Sequence, residues 1–64
     1  MAFVKLSWEE HIEVTFVLDD GRRVEGWVEA WRDGRDGREC WVRYSTGVGQ
    51  TYIDWLPADR LTPV

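Results

Sequence analysis

The chain has almost none of the devices that staple or anchor a short polypeptide. It holds one cysteine, Cys40, in 64 residues, so no internal disulfide can form, a composition that suits a reducing cytoplasm. Without a CxxC spacing or a nearby histidine, Cys40 reads as a small core residue rather than a nucleophile. No apolar run approaches the ~18 residues of a membrane span, and the apolar opening over 1–6 is too short for a secretory signal. Helical stripes longer than one turn are missing as well. Basic charge is scarce: eight Lys and Arg against twelve Asp and Glu give a net charge of -4, which opposes phosphate backbones and argues against a general nucleic-acid binder. The expectation is one soluble cytoplasmic domain, complete as it stands and not attached to a membrane. Its length is close to the lower limit for folding without disulfides or metal.

What the chain does have is aromatic rings, five of them tryptophan, set in segments that alternate apolar and polar residues and are punctuated by glycine. Ser7 followed by Glu10 has the spacing of a capping box, which predicts one helical turn in an N-terminal arm over 1–10. From residue 11 the period is two. Ile12, Val14, Phe16 and Leu18 alternate with His11, Glu13, Thr15 and Val17, which predicts a first strand over 11–18. Asp19-Asp20-Gly21 turns the chain into a second strand over 23–32, and Asp33-Gly34-Arg35-Asp36-Gly37 is the second turn. A third strand over 39–45, a turn at Thr46-Gly47-Val48-Gly49, and a fourth strand over 50–56 come next. Residues 57–60 read as one 3₁₀ turn before a short last strand over 61–64.

Register follows from which loop keeps carboxylates out of the core, because a one-residue slip sends every side chain to the opposite face. A two-residue Asp20-Gly21 turn would point Glu25 and Glu29 inward beside Phe16 and Ile12, at high desolvation cost. A three-residue loop with Gly21 in the left-handed conformation instead pairs Phe16 with Val24, Val14 with Gly26 and Ile12 with Val28. Unbroken alternation then sets Val28 opposite Val42, Ala30 opposite Cys40, Val42 opposite Ile53 and Cys40 opposite Trp55. The predicted core is Ile12, Val14, Phe16, Val24, Val28, Ala30, Cys40, Val42, Ile53, Trp55 and Leu61. The outer face then pairs Trp27 with Arg43, Glu29 with Trp41, Arg43 with Tyr52 and Trp41 with Asp54. Trp27, Trp31, Trp41, Arg43 and Tyr52, rimmed by Glu25, Glu29 and Asp54, form a candidate partner-binding patch. A guanidinium stacked on a ring there contributes about 0.5 to 1 kcal/mol. Two other readings stay open: Phe3, Val4, Leu6 and Trp8 of the arm cover the outer rings, or the patch meets its own copy in a homodimer.

No motif for chemistry stands out, so neither an enzyme nor a cofactor or metal site is expected. His11 has no serine or cysteine at a catalytic spacing and reads as a surface partner of Glu29. The acidic pairs sit at the chain start or in turns, where aspartate favours the turn itself. Asp33-Gly34-Arg35-Asp36-Gly37 lacks the further oxygen ligands of a calcium loop, and Gly47 and Gly49 precede no helix that could cradle phosphate.

Tight hairpins followed by Trp55-Leu56-Pro57-Ala58-Asp59-Arg60-Leu61 resemble the end of an SH3 domain. Gly26-Trp27-Val28-Glu29-Ala30-Trp31, Cys40-Trp41-Val42-Arg43-Tyr44 and Leu61-Thr62-Pro63-Val64 are similar to Tudor-type barrels. The resemblance covers 11–64 and implies an all-β, five-stranded antiparallel SH3-like small barrel with a 3₁₀ turn before the last strand. An SH3 groove takes proline-rich peptides, but this chain lacks the tyrosine-rich stretch near the first strand. A Tudor cage takes methylated lysine or arginine, and Trp27, Trp41, Tyr44, Tyr52 and Trp55 would be its candidates. Two functions are therefore expected. The first is a protein-interaction module, a small regulator or inhibitor that binds a protein or peptide through the aromatic patch. The second is a small nucleic-acid-associated barrel that contacts DNA, RNA or polymerase through Arg22, Arg23, Arg32, Arg35 and Arg38.

Overall fold

Alternating strands joined by glycine turns build an all-β protein. The computed structural model describes residues 3–64; Met1 and Ala2 of the expected arm lie outside the described residues. Six antiparallel strands form one sheet: β1 (Val4–Lys5), β2 (Ile12–Val17), β3 (Arg23–Gly34), β4 (Gly37–Gly47), β5 (Gln50–Pro57) and β6 (Thr62–Pro63). The path runs β5-β4-β3-β2-β6, and β1 joins β3 beside β2. It is an open sheet of six strands rather than the expected five-stranded closed barrel. The additional strand comes from the arm, where Val4 pairs with Trp31 and Lys5 with Ala30. A 3₁₀ turn at Trp8–Glu10 follows, and the Ser7 N–H donates to Glu10 Oε1 at 2.9 Å, which realises the capping spacing read from Ser7 and Glu10. The second 3₁₀ turn, Ala58–Arg60, lies within the segment read for it.

The first hairpin has the expected register, with Phe16 opposite Val24, Val14 opposite Gly26 and Ile12 opposite Val28. Its loop is the three-residue Asp19-Asp20-Gly21. The Leu18 N–H donates to the Arg22 carbonyl at 2.8 Å, the Gly21 N–H donates to the Leu18 carbonyl at 2.9 Å, and Gly21 takes φ 91°, a conformation open to glycine at little steric cost.

The other two hairpins depart from unbroken alternation. Between β3 and β4 the turn is the two-residue Arg35-Asp36, with Gly34 opposite Gly37, and the register shifts by one at Glu29. Val28 still faces Val42, but Ala30 faces Trp41 rather than Cys40, and Trp31 faces Cys40. Between β4 and β5 the turn is Val48-Gly49, and a second shift falls at Thr46. The Ser45 hydroxyl lies 2.9 Å from the Gly47 carbonyl and 3.1 Å from that of Gln50, and the Thr46 hydroxyl donates to Gln50 Oε1 at 3.2 Å. Each shift is a β-bulge, one extra residue that rotates the rest of the strand to the other face. As a result Trp41 faces Trp55, Arg43 faces Ile53, Tyr44 faces Tyr52 and Val42 faces Asp54.

The inner face collects Val14, Phe16, Val24, Val28, Cys40, Val42 and Leu56, with Leu6, Leu18, Trp31, Tyr44, Ala58 and Leu61 partly buried against them. Leu56 takes the core position predicted for Trp55, while Ile53 turns outward at 40% exposure and Ile12, at the start of β2, stays 48% exposed. Arg60 reaches from the second 3₁₀ turn to donate to the Val17 carbonyl at 2.8 Å, which ties the end of β5 to β2.

Cys40 is buried and reduced, and burial pushes its thiol above the ordinary value, an effect only partly offset by the Arg38 charge. Native protein at neutral pH is therefore expected to leave a thiol reagent unreacted until denaturant is added. Prompt one-equivalent labelling in buffer would show that the β3–β4 seam opens.

Candidate binding groove on the outer face

The bulge at Glu29 shapes the site. Val28 points into the core, whereas Glu29 and Ala30 both border an outer cavity of about 450 Å³ that is also lined by Phe3, Lys5, Trp41 and Trp55. Ala30 is buried and forms its floor. Trp41 and Trp55, cross-strand neighbours on β4 and β5, set their ring centroids 5.0 Å apart at 52°. Phe3 of the arm meets Trp55 edge-on, 6.2 Å away at 75°. The Arg32 guanidinium covers Trp55 at 4.0 Å from the ring centre and is held by Glu39 at 2.8 Å.

A second cavity of about 500 Å³ shares Lys5 and Glu29 with the first and is completed by Trp8, His11, Trp27 and Arg43. The two make one groove, crossed near its middle by Lys5 and Glu29. Trp8 is 83% exposed and Trp27 47% exposed, and the Trp8 ring packs against His11 at 5.3 Å. Arg43 donates to Glu29 through Nε at 2.7 Å and through Nη2 at 3.4 Å. That hydrogen bond holds the Glu29 carboxyl below its ordinary value, outweighing the desolvation that opposes it, and the Arg43, His11 and Lys5 charges add smaller effects in the same direction.

The sign of the pH dependence is set by that depression. A carboxylate whose folded value lies below its unfolded one adds stability above the unfolded value and loses it as pH falls through the folded one. Glu10, bonded to the Ser7 backbone, and Asp20, bonded to the Arg22 backbone, are depressed as well. The melting temperature is therefore expected to hold from neutral pH down to the ordinary glutamate value of 4.5 and to fall only below it. In Glu29→Gln that acid loss becomes shallower. An equal acid slope in the variant would show that the Glu29–Arg43 pair is not formed in solution.

The predicted site residues divide between two faces. Trp27, Trp41, Glu29 and Arg43 share the outer groove, although Arg43 bonds Glu29 rather than lying between Trp27 and Tyr52. The bulge at Glu29 turns Trp31 inward, where it packs against the core under the Arg38 guanidinium, 3.7 Å from the ring centre. The bulge at Thr46 moves Tyr52 and Asp54 to the opposite face of the sheet, where both stay exposed, Tyr52 at 48%. Tyr52 stacks on Tyr44 at 5.7 Å, and Tyr44 meets Phe16 edge-on at 5.1 Å. Asp54 borders a small cleft with Phe16 and Arg60 and accepts the Trp55 N–H at 2.8 Å. The expected outer placement of Trp31, Tyr52 and Asp54 is thus corrected, and Trp55, Phe3, Trp8, Lys5 and His11 take their places. The arm covers the outer rings only in part: Phe3 lies on Trp55, and Trp27 remains half exposed.

Three of the five arginines expected to face nucleic acid are held in ion pairs, whereas Arg23 and Arg35 form none among the described residues. Arg22 pairs with Asp20 at 2.8 Å, Arg32 with Glu39 at 2.8 Å and Arg38 with Asp33 at 3.4 Å. Among the described residues no group of three or more His, Cys, Asp or Glu side chains is placed to hold a metal ion, and no helix is long and apolar enough to cross a membrane.

No protein-family model, no curated protein and no solved structure matches this chain.

Proposed function

We propose that this protein is a non-catalytic interaction module of the cytoplasm, a small regulator or inhibitor that engages a segment of a partner protein in its outer groove. One observation carries the reading: Phe3, Trp8, Trp27, Trp41 and Trp55 all border the same continuous groove. Large rings at a solvent-facing cleft supply most of the energy of a protein contact, and a soluble domain exposes them together only at a cost in solubility. The strand path supports an SH3-like arrangement, because a four-strand meander is followed by a 3₁₀ turn and a last strand that returns to β2. Here that path is left open and extended by β1. Nucleic-acid binding has less in its favour, since a net charge of -4 and paired arginines leave little phosphate-neutralising charge.

The test is a peptide-display selection on wild-type protein, with folded Trp27→Ala/Trp41→Ala as the counter-target. Trp27→Ala alone is expected to melt close to wild type, because its ring is half exposed. Selection of peptides that bind wild type and not the double variant supports the reading. Peptides that bind both equally would place the contact elsewhere. Sedimentation equilibrium of both proteins tests the remaining occupant: a wild-type dimer that the double variant converts to a folded monomer would make the groove a seam between copies.

A further inference from the structure

We infer that the occupant of the groove is an extended acidic segment of a partner protein, its apolar side chains seated against Phe3, Trp41 and Trp55 and its carboxylate held near Lys5 and His11. The inference rests on the groove reading above and adds the charge of the ligand to it.

Positive charge is in local excess at this site. Two cations, Lys5 and Arg43, line the half of the groove that contains one carboxylate, Glu29, with the His11 imidazole beside them. Glu29 takes two hydrogen bonds from Arg43, so these two charges satisfy each other. Lys5 forms no ion pair among the described residues, and the ring contact of His11 is with Trp8 rather than with an acid. A carboxylate entering here would find an ammonium and an imidazole without strong partners, beside rings that exclude water. A charge-assisted hydrogen bond is about twice as strong as a neutral one.

A cationic ligand is the obvious competitor, since ring faces attract cations. The protein already supplies that partner itself, with Arg32 over Trp55 at 4.0 Å. The one carboxylate that lines the groove, Glu29, is committed to Arg43, while Glu13 stands opposite Trp27 outside that lining. The overall charge of -4 works against an acidic partner at long range, but charges farther away than about 8 Å are screened at physiological ionic strength. The cations lining the groove therefore decide its preference.

The test uses three acetylated, amidated octapeptides in which Leu and Phe alternate with Glu, with Gln or with Lys, and a single-stranded oligonucleotide of similar length. Each is fluorescently labelled and titrated by anisotropy against wild type, Lys5→Gln, Lys5→Glu and Trp41→Ala, with every variant checked for a native melting transition. The Glu peptide is expected to bind about tenfold more tightly than the Gln and Lys peptides. Lys5→Gln should remove most of that preference, Lys5→Glu should reverse it in favour of the Lys peptide, and Trp41→Ala should weaken all three. If the Gln or Lys peptide binds wild type as well as the Glu peptide does, and Trp41→Ala still abolishes binding, the charge assignment is overturned while the groove reading stands. If no peptide binds, or the oligonucleotide binds more tightly than any peptide, both fail.

Discussion

Phe16→Ala should leave most of the chain unfolded in buffer at room temperature. Phe16 is 2% exposed. It sits opposite Val24 on β3 and meets the Tyr44 ring of β4 edge-on at 5.1 Å and 87°, so one side chain joins three strands across the inner face. Truncating a buried phenylalanine costs about 3 to 5 kcal/mol, the lost transfer energy plus the cavity left behind. A single core in a chain this short rarely supplies more than about 3 to 5 kcal/mol of net stability, so the loss takes most of what is available. Urea denaturation followed by tryptophan emission reads it directly. Wild type should show a cooperative transition with a folded baseline, whereas Phe16→Ala should begin inside its transition or beyond it. Phe16→Leu, which keeps most of the volume, should recover a folded baseline. A loss of under about 1 kcal/mol in Phe16→Ala would mean that the inner face is not the core.

The first hairpin was legible because two independent constraints agreed on it. Gly21 marked the left-handed position of the loop, and only a three-residue loop kept Glu25 and Glu29 away from Phe16 and Ile12. Over residues 39–56 no second constraint exists. Cys40, Trp41 and Val42 are all apolar, as are Ile53, Trp55 and Leu56, so a period of two describes either face equally well. The two bulges fall in and beside this stretch. At Glu29 the extra residue exchanges Trp31 for Ala30 on the outer side, and at Thr46 it exchanges Ile53 and Trp55 for Tyr52 and Asp54. An aromatic patch on the outer face was therefore readable from Trp27 and Trp41, while its other members were not. The arm divides in the same way: the Ser7–Glu10 spacing announces its 3₁₀ turn, but a two-residue strand such as β1 has no period, so nothing local shows that Lys5 would be held beside Glu29.

Gly26→Ala is expected to cost about as much as removing a core side chain, although it adds only a methyl group. Gly26 faces the core where β3 crosses between β2 and β4, opposite Val14 on one side and Tyr44 on the other. A Cβ built there would lie 2.7 Å from the Arg43 carbonyl oxygen, 3.0 Å from Tyr44 Cβ and 3.0 Å from a Val42 methyl. The first of these contacts is with backbone, which cannot swing aside without distorting the β3–β4 ladder. Overpacking a tight core costs about 1 to 3 kcal/mol and more where the neighbours cannot move, and here the upper end applies. Gly47→Ala is the matched control, because the nearest atom to its added methyl is the flexible Gln50 side chain at 3.9 Å. Its effect should be close to neutral, with a gain of up to about 1 kcal/mol from the stiffer unfolded chain. In thermal melts Gly26→Ala should fall well below wild type and Gly47→Ala should not. The close approach at Gly26 also bears on the groove, since the strands it brings together carry Trp27 and Arg43 to their positions on the outer face. If the two alanine variants melted alike, β3 and β4 would not be packed this tightly, and the groove built on their register would lose its support.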